Sequence, residues 1–432
     1  MKYEKYKDSG VEWIGDIPLT WTTSTLLQVL RARISDGPHE TPNLVDEGIP
    51  FISVDSLNDS EDIDFEIVKK YISDEDYKQY KKKACLEKGD ILFTKSATIG
   101  KTAIVKDDIF MVWSPIAILK PNKLIYNKYL YYLVSNDFFK EYICQLSTFS
   151  TQFNVGMRTL EKAKICFPSL PEQQAIVNYV DAKCAKINGS IDVQKRKIEL
   201  LNELKQTIIT DAVTKGLNPN APMKNSGVDW IGNVPEHWKV MKLKRCALIK
   251  TGCTPPTSES KYYDSEDINW FTPSDIVDSE IREAEKKISF IAQKDGVGRI
   301  FPKNSIYFVG IGSIGKVSYC EISASSNQQI NVITPNKRAN YKYLTYVLKS
   351  QKDEIALTAN SVTLPIINQD RTGSLLCPVP PIEEQQSIVA HIESETSKID
   401  AQIAKANRRI ELLNELKQSI ITEAVTGKIK VC

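Results

Sequence analysis

The chain has 432 residues, enough for two or three domains with separate cores, and its 42% hydrophobic and 25% charged content is that of an ordinary soluble protein. A formal net charge of +2 gives no general argument for nucleic acid, so any phosphate contacts must come from a focused patch or from partner subunits. Nine cysteines at wide spacings, with Cys246 and Cys253 the closest pair and no C-x-x-C, support neither a zinc site nor a disulfide framework and suggest reduced cytoplasmic thiols.

The opening MKYEKYKDSG has no signal-type apolar core, and no apolar run reaches membrane-spanning length. A motif follows, Lys7-Asp-Ser-Gly-Val-Glu-Trp-Ile-Gly-Asp-Ile-Pro18 with Trp21, and it returns as Lys224-Asn-Ser-Gly-Val-Asp-Trp-Ile-Gly-Asn-Val-Pro235 with Trp238. Trp13, Trp21, Trp230 and Trp238 read as anchors that bury large apolar area at a domain edge. Residues 22–166 and 239–376 are rich in strands and turns. Asp90–Thr94 and Ser305–Val309 are short apolar runs between Gly, Pro, Asn and Asp clusters, and Tyr129–Val134 and Tyr341–Leu348 are short amphipathic helices. An α+β domain of mixed short strands and helices fits each stretch. Residues 1–170 carry 22 basic and 24 acidic side chains against 20 and 16 in residues 221–380, so only the second stretch leans basic.

Each domain ends in a proline-bearing run that opens a helix, Cys166-Phe-Pro-Ser-Leu-Pro-Glu-Gln-Gln174 and Cys377-Pro-Val-Pro-Pro-Ile-Glu-Glu-Gln-Gln386. Ser169 and Glu172 have capping-box spacing, while Glu383 and Glu384 sit at the positive end of the helix dipole. The first helix is expected to reach Thr214 and stop at Gly216, with Asn188-Gly189 a possible interruption and Leu217–Pro222 a linker. The second ends near Gly427. Ile198–Gln206 recurs letter for letter as Ile410–Gln418, and Ile198–Thr214 differs from Ile410–Thr426 only at Thr207/Ser419 and Asp211/Glu423. The offset of 212 residues makes the protein a tandem duplication of a long unit, not a solenoid. Ile187, Ile191, Ile198, Leu201 and Ile208, with Ile399, Ile403, Ile410, Leu413 and Ile420, put one apolar face on each helix near the coiled-coil period. Two such faces predict an antiparallel intramolecular coiled coil with a globular domain at either end.

Two turns invite a phosphate-loop reading. Gly310-Ile-Gly-Ser-Ile-Gly315-Lys316 has the spacing but Val317 where Ser or Thr should follow. Lys95-Ser-Ala-Thr-Ile-Gly100-Lys101-Thr102 lacks the first glycine. Both run into β-type residues and not into the helix a phosphate cradle needs. A tight turn between strands, presenting Lys95, Ser96, Thr98, Lys101, Ser313 and Lys316 to a DNA backbone, is the better account. Asn327, Gln328, Gln329 and Asn331 are amides able to pair with an adenine edge, or simply to bond the local backbone; Thr151, Gln152, Asn154 and Arg158 are the corresponding candidates in the first domain. The acidic run Glu61–Glu66 reads as a solvated face. His39, His237 and His391 lie far apart, and no methyltransferase, zinc-protease or nucleophile-elbow motif is present.

The tryptophan motif, the G-D-I-L-F-T-x-S-x-T-I-G-K turn and the P-L-P-E-Q-Q helix entry, in a duplicated chain, resemble the specificity subunits of type I restriction-modification systems over essentially the whole length. The resemblance implies target recognition domains at 1–168 and 224–380, long helices at 169–216 and 381–427, and a linker at 217–223. Each domain would read one half of a split sequence in double-stranded DNA. The helices would set the gap and dock two modification subunits, and through them the restriction subunits. It also implies a chain that does no chemistry and holds no cofactor, with S-adenosylmethionine, ATP and Mg²⁺ used by those partners. The second turn, Val309-Gly310-Ile311, departs from the family's T-x-S-G-T pattern. A coiled-coil scaffold tethering two modules that do not bind DNA, and a nucleotide-dependent enzyme built on Gly310–Lys316, are the alternatives.

Overall fold

The computed structural model describes residues 2–58, 60–106, 109–147, 154–265, 267–352, 354–355 and 366–431. Two compact units emerge, one of residues 1–194 with 407–432 and the other of residues 195–406. Each unit therefore combines one mixed α+β domain with part of each long helix.

In the first unit the central sheet runs Ser35–Asp36, Ile116–Leu119, Ile91–Thr94, Thr102–Ile104, with antiparallel neighbours throughout. The strands Ile91–Thr94 and Ile116–Leu119 are buried at every residue. The reason is that alternate side chains serve different cores. Ile91, Phe93, Ala117 and Leu119 join the tryptophan motif and the long helices, whereas Leu92, Ile116 and Ile118 join Phe51, Phe110 and Met111 on the other face. The second unit repeats the plan with Ala247–Thr251, Ile330–Pro335, Ser305–Val309 and Val317–Cys320. Ile306, Phe308 and Ile333 face one core, and Tyr307, Val309 and Val332 the other.

Each proline-bearing run leads from a strand into a long helix. Lys164–Phe167 pairs with Thr22–Thr25, and Leu376–Val379 with Lys239–Lys242, so each domain's two ends meet where its long helix begins. There the repeated motifs find their roles. Trp21 is 1% exposed and donates its indole N–H to Glu172 Oε1 at 3.1 Å; Trp238 is 0% exposed and donates to Glu384 Oε1 at 3.0 Å. Glu172 also accepts from the Tyr3 hydroxyl at 2.6 Å, so its carboxylate serves the tryptophan motif and not the capping box that its spacing from Ser169 suggests. The buried amide of Gln173 donates to the carbonyls of Leu124 and Pro168 and accepts from Tyr126 N. Gln385 does the same with Arg338, Pro380 and Asn340. These are structural glutamines, each satisfying backbone groups that burial would otherwise orphan.

The long helices are Leu170–Lys215, 46 residues, and Ile382–Val425, 44 residues. They pair antiparallel within each unit. Lys417 Nζ meets Asn188 Oδ1 at 3.2 Å in the first, and Lys205 Nζ meets Asp400 Oδ1 at 2.7 Å in the second. Of the expected seam, Ile187, Ile191, Leu201 and Ile399 are buried, while Ile198, Ile208, Ile403, Ile410, Leu413 and Ile420 are half-buried. Toward the C-terminal ends Ile209 and Ile421, one position on from the 3.5-residue pattern, are buried along with Ala212, Val213, Ala424 and Val425, because the domain packs there and widens the apolar face. Cys184, Thr396 and Ala406 complete the seam. The helix runs unbroken through Asn188-Gly189, since the glycine faces solvent and Asn188 is held by Lys417. Gly216 and Gly427 end the helices with φ of 73° and 71°. Among the described residues no helix is long and apolar enough to cross a membrane.

Two glycine substitutions should have opposite signs. A Cβ added at Gly189 meets no atom within 4 Å, so Gly189→Ala should stabilise the chain by about 1 kcal/mol. A Cβ at Gly216, at positive φ, comes to 3.0 Å from the Trp238 ring, so Gly216→Ala should cost about 1–2 kcal/mol. Urea midpoints of the two variants beside the parent check both.

Candidate nucleic-acid interface

In the first unit, residues 95–101 form the turn of a hairpin between Ile91–Thr94 and Thr102–Ile104. Thr94 shapes it: its hydroxyl donates to the Thr98 carbonyl and accepts from Lys101 N at 2.9 Å. Ala97 sits at the tip with φ of 62°, a left-handed conformation that costs an alanine what a glycine does not incur. Both lysine-glycine turns run into strands, so neither offers the helix N-terminus of a phosphate cradle.

Main-chain bonds bring distant candidates to this turn. Lys95 N donates to Pro115 O at 2.8 Å, Val155 N donates to Lys95 O at 2.8 Å, and Ser96 forms a β-bridge with Asn154. Thr98, Asn154 and Arg158 are exposed, and Ser96 is half-buried. Lys101 is half-buried and donates to Val54 O at 3.1 Å. Lys95 differs from expectation. It is buried, with Nζ 3.2 Å from Asp36 Oδ2, and His39 Nε2 lies 3.3 Å from the same oxygen. An ammonium so paired cannot also reach a phosphate without abandoning a buried carboxylate. Thr151 and Gln152 lie outside the described residues.

The second unit builds the same junction from other residues. Gly310 N donates to Gln329 O at 2.8 Å, Ile367 N donates to Gly310 O at 2.8 Å, and Ile311 bridges Ile366. The position of Lys95 is taken by Gly310, whose added Cβ would stand 2.6 Å from Ile367 O and 2.9 Å from Asn331 Nδ2. A side chain is thus excluded at this position, while Val309 and Ile311 stand where the T-x-S-G-T pattern has Thr and Ser. Asn331 is buried, donating to Ile367 O and Thr372 Oγ1 and accepting from Thr251 Oγ1, each at 2.9 Å. It holds the junction together and presents nothing outward. Asn327, also buried, and Gln329 bond to one another through side chain and backbone. Gln328 remains as the exposed amide of the cluster, its Oε1 held by the Thr254 hydroxyl. Ser313 is exposed and Lys316 half-buried; among the described residues no hydrogen bond or ion pair engages the Lys316 ammonium.

Sequence reasoning passed over Asp36, Thr254 and Trp113. Trp113 takes the place of Asn327 in the first unit, half-buried, with Lys70 Nζ 4.9 Å from its ring centroid. The available signal was a pair of glycines, Gly37 and Gly252. Added Cβ atoms there would stand 1.8 Å from Val112 O and 2.3 Å from Asn327 O, so these loops must lie directly on the strand that enters the junction.

Each junction therefore exposes hydroxyls and at least one cation on a fixed turn, and the second adds an oriented amide. Such groups bind and discriminate. Because Lys95 and Asp36 hold one another, Asp36→Ala should lower stability by about 3 kcal/mol, leaving a buried ammonium unpaired. Chemical denaturation of the variant beside Thr98→Ala, which should change little, separates the two roles.

The type I restriction modification DNA specificity domain model matches residues 18–202 and 235–413, which covers both units. A Methanocaldococcus jannaschii chain named for the MjaX type I restriction enzyme specificity subunit is 26% identical over 461 residues, spanning 100% of this chain and 98% of its own. The StySPI type I restriction enzyme specificity subunit of Salmonella potsdam is 20% identical over 437 residues, covering 96% and 90%. A solved chain from work on complex assembly and conformational transition of the type I R-M system shares the fold, with TM-score 0.69 at 16% identity over 96% of this chain and 99% of the other. With a duplicated domain, a duplicated helix and both copies matched, the chain belongs to the family of type I restriction-modification DNA specificity subunits.

Proposed function

We propose that this chain is the non-catalytic sequence reader of a type I restriction-modification complex, with each unit contacting one half of a bipartite DNA target through the junction around its turn. The observation that carries this reading is the contrast between scaffold and junction. The C-terminal parts of the helices, Ile198–Thr214 and Ile410–Thr426, repeat almost residue for residue, while the buried polar set beneath the turn changes from Lys95–Asp36 to Gly310, Thr251 and Asn331. A duplicated scaffold presenting two unlike polar surfaces suits an asymmetric target.

Methylation and cleavage then belong to partner subunits, which supply S-adenosylmethionine, ATP and Mg²⁺ chemistry. Two modification subunits have equivalent places to dock. Leu200 and Leu204 are each 48% exposed, and their counterparts Leu412 and Leu416 are 48% and 50% exposed. Leucine pairs at i, i+4, left uncovered at matching positions of both helices, suit an apolar helix of a partner. The near-neutral net charge fits a reader held on DNA by larger subunits.

Methylome sequencing of cells carrying this chain with an adenine methyltransferase partner tests the reading. One bipartite motif with unlike halves is expected; a palindromic motif, or methylation unaffected by deleting the chain, would count against it. Within the second unit, Gln328→Ala should relax one position of one half-site and leave the other half intact, as expected of a residue at a base edge. Lys316→Ala should weaken DNA binding of the assembled complex and lower its salt slope by about one counterion without altering the motif. A changed motif in the lysine variant would move Lys316 from backbone to base contact.

A further inference from the structure

The first unit holds a polar, partly open cavity of about 260 Å³. Four residues of its walls, Ser60, Ser135, Asn188 and Lys417, have counterparts in the second unit. Ser135 follows the helix Asn127–Val134, and the matching run from Tyr341 (N-K-Y-L-Y-Y-L-V against Y-K-Y-L-T-Y-V-L) makes Lys349 its counterpart. Asn188 and Lys417 correspond to Asp400 and Lys205 under the 212-residue offset. Ile104 N donates to Glu61 O as Tyr319 N does to Ser279 O, which aligns Ser60 with Asp278.

In the second unit this space belongs to Lys349. Its ammonium donates to the Asp278 carbonyl, beside the Lys205–Asp400 pair. Burial pulls Lys349 below the ordinary lysine range; Lys205 adds to that, and Asp278 and Asp400 oppose it. In the first unit the lysine is replaced by Ser135 and its stem is missing. Gln418 Oε1 stands buried there without a hydrogen-bond partner among the described residues. An orphan acceptor in a space otherwise shaped for a lysine side chain asks for a donor.

We propose that this cavity binds a primary alkylammonium, the charged end and methylene stem of a diamine or polyamine, seated where the second unit places the side chain of Lys349. The ammonium would meet the Ser60 carbonyl and Gln418 Oε1, and the stem would lie along Tyr132 and Ile421. The charged groups facing the cavity permit this. Glu61 supplies a carboxylate, 2.7 Å from Lys128. Lys140 is paired with Asp137 at 3.1 Å, while Lys417 is held at 3.2 Å by the neutral amide of Asn188 and keeps its charge toward the cavity. The second unit tolerates an ammonium beside Lys205, the counterpart of Lys417.

The test is saturation-transfer NMR on the full chain with n-butylammonium chloride, which is the lysine stem freed from its backbone, against sodium chloride at equal ionic strength and against n-butanol. A saturable signal on the butylammonium methylenes, weaker for butanol, is expected of the parent. Ser135→Lys should abolish it by filling the space with a tethered ammonium. Asn188→Asp, on the helix surface, should tighten binding roughly tenfold by adding the carboxylate that the second unit has in Asp400. Any of three results overturns the site: no saturable signal in the parent, an equal signal with butanol, or an affinity indifferent to Asn188→Asp.

Discussion

The architecture of each unit depends on a buried tyrosine that ties its domain to both long helices. The Tyr129 hydroxyl lies 3.3 Å from Cys166 O, on the strand that opens one helix, and 3.1 Å from Val425 O, at the end of the other. Tyr343 stands likewise, 3.1 Å from Pro378 O and 3.3 Å from Val213 O. Burial holds both phenols far above their usual pKa, so each stays a donor wherever the protein is folded. The last carbonyls of a helix have no partner within it, and here the domain supplies one. The domain thereby gives a partner to the Val425 and Val213 carbonyls, and its seat rests on both helices.

Further contacts secure the same seating and repeat with the chain. Lys128 bridges Asp181 of the long helix and Glu61 at 3.0 and 2.7 Å, and Lys342 reaches Glu393 at 2.9 Å in the second unit. Glu61, which reads from sequence as part of a solvated acidic face, thus helps to fasten the domain. Partly buried pairs of this kind hold orientation more than they add stability. A reader whose side chains must meet base edges within hydrogen-bond distance needs that orientation fixed.

Beneath the turns, divergence has proceeded by coordinated sets. Lys95 needs Asp36, whereas Gly310 leaves room for Asn331, which needs Thr251, Thr372 and the Ile367 carbonyl. A buried polar group left unmatched costs more than a matched set contributes, so these residues change together or not at all. The surface groups above them, Thr98 and Arg158 in one unit and Ser313 and Gln328 in the other, answer to no such constraint. Different surfaces can therefore be carried on one framework.

Much of this was legible in the residues alone. The letter-for-letter helix repeat, its apolar spacing, and the glycines at 216 and 427 determined that two long helices exist, where they stop and which face is apolar, because helix periodicity and capping are local properties of sequence. The turn residues likewise marked two strand hairpins. Which polar side chains face outward was decided only by the tertiary structure. Lys95 and Asn331 carry the same local signal as Lys316 and Gln328, yet the first two are buried against partners far along the chain, at Asp36 and at Thr251, Ile367 and Thr372, while the other two keep surface exposure. Glu172 and Gln173 look like helix-entry residues and prove to be ligands of Trp21 and of loop carbonyls. A polar side chain is committed or free according to what lies opposite it, and only the folded chain sets what lies opposite.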